Sequence, residues 1–345
     1  MNRLRVLFLA PPPGLRHPWA DDVIAAVNPL HKLSVFDAAL PLEPQFGDVD
    51  VVIDHGGSMG TRPMADAAHS VQLWQLSGNG IDHFELEYWR AKGIQVANCP
   101  GELTAAPLAE MVIQFMLQLS RGWHESQKNL RASVSYAPMG IELGGRTLGL
   151  VGFGATARQV AARASAFGMR TIGIDIRDVS AAEQAEYGAS WVRGPNHLDE
   201  LLAESDFVSL HLHLTPDSRH TIDARRLALM KPEAFLINVS RGELVDEAAL
   251  VAALRSRQLA GAGLDVFCKE PPGPDHPLFA FDNVIATPHI AGQTYGTSMR
   301  RAAFVAENID RLARGETPLA LIGKRDSVAE FRDHSQVVRN LRLRV

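Results

Sequence analysis

The chain has 345 residues, 34 of them basic and 39 acidic, for a formal net charge of −5. That length suits two domains with separate cores, and the mild acidic balance lacks the basic stripe by which a nucleic-acid-coating protein displaces counterions from phosphates. Two cysteines, Cys99 and Cys268, are too few for a disulfide framework and lack CxxC spacing for structural zinc, so a cytoplasmic protein without a metal site is expected.

The first apolar run, Val6–Ala10, is cut by Pro11, Pro12 and Pro13. It is too short for the core of a signal peptide, and no later stretch offers about 20 uncharged apolar residues for a membrane span. Short apolar runs followed by segments of helical periodicity read as a parallel sheet with crossover helices, an α/β fold. Arg5–Leu9, Asp50–Ile53, Leu73–Leu76 and Gln95–Ala97 read as strands of a first sheet of four or five, with Trp19–Val27 and His83–Lys92 as helices between them. Leu108, Met111, Val112, Phe115, Met116 and Leu119 share one helical face, a stripe that reads as core packing. A second series, Leu148–Val151, Thr171–Ile174, Phe207–Leu210, Phe235–Val239, Gly263–Val266 and Val284–Thr287, gives the six strands of a dinucleotide-binding sheet. A further helix, Thr297–Arg314, stops at Gly315. The basic tail after it reads as a solvated terminus, in which Leu341, Leu343 and Val345 alternate like a strand.

Gly152-Phe153-Gly154-Ala155-Thr156-Ala157 follows one of these strands and opens a helix with Val160, Ala161, Ala164 and Phe167 expected inward. In this GxGxxA pattern Gly152 permits the tight turn, Gly154 lets the backbone approach a pyrophosphate, and Ala157 lets the helix pack on the strand. The helix start at Ala155 and Thr156 offers free N–H groups to the phosphates. Asp175 stands 18 positions after Ala157, where a carboxylate accepts both hydroxyls of an adenine ribose; this favours NAD over NADP, although Arg177 nearby suits a 2′-phosphate.

Arg241, Glu270 and His289 each follow an apolar strand, so they converge at the carboxyl edge of a parallel sheet, where ligands bind. Arginine grips a carboxylate with two parallel hydrogen bonds, histidine moves the hydroxyl proton, and a carboxylate beside the imidazole orients it and favours its charged form. That set suits hydride transfer at a 2-hydroxy acid. His211-x-His213 has no third ligand at a plausible spacing and reads as a strand-end pair rather than a metal site.

The segments Ile237-Asn238-Val239-Ser240-Arg241-Gly242-Glu243-Leu244-Val245-Asp246-Glu247, Gly263-Leu264-Asp265-Val266-Phe267 with Glu270-Pro271, and Thr287-Pro288-His289-Ile290-Ala291-Gly292 resemble the signatures of the D-isomer-specific 2-hydroxyacid dehydrogenases. Arg241 and Glu270 are 29 residues apart and Glu270 and His289 are 19 apart, spacings of the family type, and the resemblance runs over about residues 45 to 320. It implies two Rossmann-like domains: a discontinuous, flavodoxin-like catalytic domain (1–100 and 288–345) and an inserted NAD-binding domain (101–287). It further implies that Arg241 binds the substrate carboxylate and carbonyl, that His289 is the acid/base and that Glu270 is its partner. Asp265 would hold the nicotinamide carboxamide; Leu212, Val239, Ser240, Arg241, His289 and Gly292 would also touch cofactor. Gly78, Asn79 and Gly80 resemble the family's substrate loop. Glyoxylate or hydroxypyruvate is the expected 2-oxo acid, with 3-phosphoglycerate dehydrogenation as the alternative and His55 and Arg62 as cations near such a substrate. A homodimer through the nucleotide domains is implied. A non-catalytic NADH sensor like the C-terminal-binding corepressors is the other reading of the same motifs.

Overall fold

In the computed structural model, residues 2–11, 18–55, 60–82 and 84–323 are described. The chain divides into two compact units, Met1–Thr104 with Gln293–Val345, and Ala105–Gly292.

The first unit is built on β1 (Arg5–Leu9), β2 (Lys32–Val35), β3 (Val51–Asp54), β4 (Leu73–Leu76) and β5 (Gln95–Ala97). They form a parallel sheet in the order β2-β1-β3-β4-β5. β3 and β4 are buried on both faces, which is why they read as unbroken apolar runs. β2 gave no such run because it is an edge strand with no fully buried residue. On one face Val6, Phe8, Val51 and Ile53 pack with the helix Trp19–Val27 and the C-terminal helix Tyr295–Ala313, through Val23, Val27, Phe304, Val305 and Ile309. The other face buries Phe46, Trp74, Phe84 and Trp89, with the two indoles edge-to-face at 5.3 Å.

Two polar contacts fasten the distant C-terminal helix to this sheet. Leu4 N–H donates to Nδ1 of buried His31 (3.3 Å), so Nε2 carries the proton and donates to Asp310 (2.8 Å). Asn308 Nδ2 donates to Gln75 Oε1 (2.6 Å) in the core. The helix begins two residues before the expected Thr297, because Thr294 caps it by accepting from Thr297 N–H, and Gly315 takes φ +75° after its end. Residues 341–345, read as strand-like, lie outside the described residues.

The second unit holds β6 (Thr147–Val151), β7 (Arg170–Ile174), β8 (Ala189–Arg193), β9 (Phe207–Leu210), β10 (Phe235–Asn238), β11 (Gly261–Leu264) and β12 (Val284–Ala286). They form one parallel sheet, β12-β11-β10-β9-β6-β7-β8. Seven strands therefore replace the six expected. The added β8 is an edge strand whose only fully buried residue is Val192, so it carried no apolar signal. The helix Ala105–Ser120 buries Ala109, Val112, Phe115, Met116 and Leu119 on the striped face. Phe167, expected inward, is 42% exposed because it is the C-cap of the helix Ala155–Ala166, beyond its last packed turn at Ala164. No helix among the described residues is long and apolar enough to cross a membrane.

Candidate active site

The order of the second sheet reverses between β6 and β9, and the chain leaving β6 forms the glycine turn at this switch point. Gly152 has φ +94°, and a Cβ there would lie 2.7 Å from the carbonyl oxygen of His211, so both conformation and space exclude a side chain. Gly154 differs: a Cβ built on it meets nothing within 4 Å, so the bare backbone opens onto free space. It is the N-cap of the helix Ala155–Ala166, and no side chain caps that end. The first-turn N–H groups, those of Ala155 and Thr156 included, are left for an anionic ligand. Ala157 is fully buried against the sheet. This cradle fits the pyrophosphate of a dinucleotide.

Asp175 follows β7 and is 9% exposed. Its Oδ2 accepts from Phe153 N–H (3.0 Å) and from Arg177 Nη2 (3.2 Å), and its Oδ1 accepts from Arg177 N–H (2.8 Å). The Arg177 guanidinium also donates to Phe153 O (2.9 Å) and lies 3.7 Å from Glu183. The carboxylate expected to meet a ribose is thus also a brace for the glycine turn, and a cation lies across it.

At the ends of β10, β11 and β12 the structure brings Arg241, Glu270 and His289 within electrostatic range of one another. Glu270 accepts from Phe267 N–H through Oε1 (3.0 Å) and pairs with His289 Nδ1 through Oε2 (2.7 Å). Burial alone would raise the Glu270 pKa, but the hydrogen bonds from His289 and Phe267 outweigh it and hold the carboxyl below its ordinary value. The Glu270 hydrogen bond raises the His289 pKa against the opposing effect of burial. Arg241 is anchored by its main chain, with its carbonyl accepting from Asn238 Nδ2 (2.8 Å), and its Nη1 donates to Ser240 O (2.8 Å). Ser240 Oγ donates to Leu210 O (2.8 Å), tying this loop to the end of β9. Gly242 is required: a Cβ there would sit 2.0 Å from the backbone of Phe267, so the glycine lets the loops of Arg241 and Glu270 pass in contact. Val239 is buried, and Leu212 and Gly292 are half-buried.

Asp265 holds the histidine loop. Its Oδ1 accepts from Thr287 Oγ1 (2.6 Å) and Ile290 N–H (2.8 Å), its Oδ2 from Ala291 N–H (2.8 Å), and its carbonyl from His289 N–H (2.8 Å). These bonds keep His289 at φ +56°, a conformation rare outside glycine. Burial raises the Asp265 pKa despite these donors. The brace was not foreseen from the sequence; the Thr-Pro-His run, which fixes Thr287 two residues before the histidine, was the available signal. His211 Nε2 is buried without a partner, and burial pushes its pKa down to about 3, while His213 is exposed. Among the described residues no three His, Cys, Asp or Glu side chains are grouped to hold a metal ion.

In the first unit, Gly78 O accepts from Cys99 N–H (3.0 Å) and Asn79 O from Asn98 Nδ2 (2.7 Å). Because a trans peptide sets C=O and N–H on opposite sides, the N–H groups of Asn79 and Gly80 point away from these anchors. Arg62, expected as a cation for a phosphorylated substrate, donates through Nε to Glu85 (2.9 Å) and lies over the Tyr88 ring at 5.0 Å. The His55 pKa is pushed down to about 4, by burial first and by the charge of Arg301 second, so His55 is neutral near pH 7.

Residues 113–291 match the family described as D-isomer specific 2-hydroxyacid dehydrogenase, NAD binding domain. A glyoxylate reductase of Thermococcus onnurineus is 37% identical over 286 residues, covering 80% of this chain and 84% of that protein. A D-3-phosphoglycerate dehydrogenase of Methanocaldococcus jannaschii is 37% identical over 78% of this chain, which spans only 51% of that longer protein. Among solved structures, a glyoxylate reductase from Paecilomyes thermophila superposes with a TM-score of 0.81 at 29% identity, covering 94% of this chain and all of that one. The motifs, the fold and these likenesses agree: the chain belongs to the D-isomer specific 2-hydroxyacid dehydrogenase family and carries its NAD binding domain.

Proposed function

We propose that the protein is an NAD-dependent oxidoreductase that interconverts a small D-2-hydroxy acid and its 2-oxo acid, with glyoxylate or hydroxypyruvate as the first substrates to test. The hydrogen bond of 2.7 Å between Glu270 and His289 Nδ1, within range of the Arg241 charge, carries this reading. Bound NAD(H) supplies or accepts the hydride. Glu270 occupies Nδ1 of His289, which leaves Nε2 to give its proton to the carbonyl oxygen in reduction and to take the hydroxyl proton in oxidation. Arg241 pairs with the substrate carboxylate through its planar fork. The N–H groups of Asn79 and Gly80 offer a second device for an anion. The glycine turn at Gly152 and Gly154, with Ala155, Thr156 and Asp175, receives the pyrophosphate and ribose, and Leu212, Val239, Ser240 and Gly292 line the cofactor through main chain. Asp265, which braces the loop, would be the acceptor for the nicotinamide carboxamide.

The same reading makes the protein a cytoplasmic homodimer. The helix Trp123–Arg131 has no buried residue, and Trp123, Leu130, Val134, Tyr136 and Met139 on and just after it are 46, 70, 48, 101 and 92% exposed. So many apolar side chains in 17 residues suit a covered surface. Light scattering should return twice the chain mass; a monomer at micromolar concentration overturns the dimer. Two free cysteines, one of them exposed, suit a reducing compartment.

A panel of 2-oxo acids assayed with NADH and NADPH tests the activity. Reduction of glyoxylate or hydroxypyruvate is expected, with NADH preferred. NADH binding without turnover of any 2-oxo acid would leave the sensor reading instead, and a hundredfold preference for the 3-phosphoglycerate couple would change the substrate.

A further inference from the structure

The charge around Asp175 does not end with Arg177. Arg158, in the first turn of the helix Ala155–Ala166, donates through Nη1 to Oε1 of Glu183 (3.2 Å), and Nη1 of Arg177 lies 3.7 Å from the same oxygen. One carboxylate oxygen is thus shared by two guanidinium groups, one from the glycine-turn helix and one from the turn after β7. Because Arg177 also donates to Asp175 Oδ2 (3.2 Å), charge alternates along Arg158, Glu183, Arg177 and Asp175. All four residues belong to the unit Ala105–Gly292.

Glu183 is held where it stands. It lies on the helix Ala181–Glu186, between β7 and β8, whose N-cap Ser180 accepts from Glu183 N–H (3.2 Å). The next residue, Gln184, ties that helix to its surroundings: Nε2 donates to Val179 O (2.8 Å), and Oε1 accepts from Val192 N–H (3.1 Å) in β8. Arg158 is steadied over the Tyr187 ring at 5.6 Å. The Glu183 side chain is 15% exposed, so water and salt screen its charge only in part.

Two guanidinium forks that meet on one oxygen are donors suited to a phosphate, and an arginine beside the acidic end of this strand is where a 2′-phosphate is accommodated. Here a carboxylate of the protein already engages both forks. An incoming 2′-phosphate must displace Glu183 or bear its repulsion in addition to that of Asp175, whereas a 2′-hydroxyl does neither. Asp175 alone discriminates less well, because Arg177 lies across it.

We propose that Glu183 is a specificity-determining residue for the cofactor, whose carboxylate engages the Arg158 and Arg177 guanidinium groups that a 2′-phosphate would take and so keeps the site for NAD(H). This rests on the reading of the protein as an NAD-dependent dehydrogenase and assigns part of its cofactor choice to a second carboxylate.

Titration with NADH and with NADPH, followed by nicotinamide fluorescence, tests it without turnover. The unaltered protein should bind NADH about tenfold more tightly than NADPH. Glu183→Gln, which keeps the shape and an acceptor for Arg158, should tighten NADPH about fivefold, the scale of one partly exposed ion pair, and leave NADH nearly as it was. Glu183→Ala should act in the same direction. With Arg158→Met and Arg177→Ala already in place, Glu183→Gln should bring no such gain; a gain that persists there overturns the role, since the carboxylate would then act by distant repulsion alone. An unchanged ratio of the two affinities in a folded Glu183→Gln also overturns it. So does NADPH binding as tight as NADH binding in the unaltered protein, a result that stands even if the variants fail to fold. Reduction of a 2-oxo acid with NADH while Glu183→Gln leaves the ratio unchanged sinks the role of Glu183 and leaves the dehydrogenase. A shifted binding ratio with no 2-oxo acid reduced sinks the dehydrogenase and leaves the role of Glu183.

Discussion

The two parallel sheets differ in the charged groups they hold at their carboxyl edges. In the second unit Glu270 pairs with His289, Asp175 with Arg177, and Asp265 with three donors of the histidine loop. In the first unit buried Asp54, at the end of β3, accepts from Trp74 Nε1 (3.2 Å) and Gly60 N–H (3.0 Å), whereas among the described residues no carboxylate pairs with Arg301, whose guanidinium lies over the Trp19 ring. The contrast separates an edge where each charge sets the state of its neighbour from one where an anion is held by neutral donors and a cation by an aromatic ring. The sharpest way to break it is His289→Ala, which removes the proton carrier and leaves the glycine turn intact. Turnover should fall about 10²–10⁴-fold while NADH still binds in a fluorescence titration; unchanged turnover would strip the second unit of its proposed chemistry.

Asp265→Ala probes the brace rather than the acid. Three donors lose their acceptor in a buried setting, and each such loss costs about 1–3 kcal/mol. Urea unfolding should show stability lower by about 3 kcal/mol, with kcat reduced because His289 no longer needs to hold φ +56°. Stability within about 0.5 kcal/mol of the original, the range of an ordinary surface change, would show that the loop does not depend on this carboxylate.

Glu270→Gln sharpens the pairing itself through pH. Reduction needs protonated His289, whose pKa the Glu270 hydrogen bond raises. With the raised pKa, reduction persists above the ordinary histidine range and declines as pH rises through the folded value. Removing the charge lowers that pKa, so the alkaline limb of the kcat/KM profile for reduction should move to lower pH. Oxidation, which needs the neutral ring, should extend to lower pH. Limbs that stay in place would mean that Glu270 does not set the protonation of His289.

Legibility followed the same division. Arg241, Glu270 and His289 were readable because each follows a strand buried enough to show as an apolar run, and the run fixes where its carboxyl end falls. The strands that escaped, β2 and β8, are edges whose residues are mostly exposed. Arg301 escaped for another reason. A basic residue on a helix reads as solvent-facing, and only the packing of Val305, Phe304 and Ile309 shows that its face is the buried one. The brace by Asp265 was hidden because hydrogen bonds to main-chain N–H groups leave no side-chain pattern beyond Thr287. The glycine turn was legible in outline, yet Arg177 lying across Asp175 depends on the turn after β7 placing the Arg177 N–H on the same carboxylate.

That last contact sets the smallest effect. Arg177 is about one-third exposed and donates to Asp175 Oδ2 and to Phe153 O, so it partly neutralises the carboxylate that disfavours a 2′-phosphate. Removing it in Arg177→Ala leaves Asp175 with only the Phe153 and residue-177 main-chain N–H groups as donors, and restores its full repulsion toward a 2′-phosphate. The ratio of kcat/KM with NADH to that with NADPH should rise about tenfold, equivalent to about 1.4 kcal/mol, mostly through the KM of NADPH. An unchanged ratio would mean that the cation serves the glycine turn alone and that cofactor choice rests on Asp175.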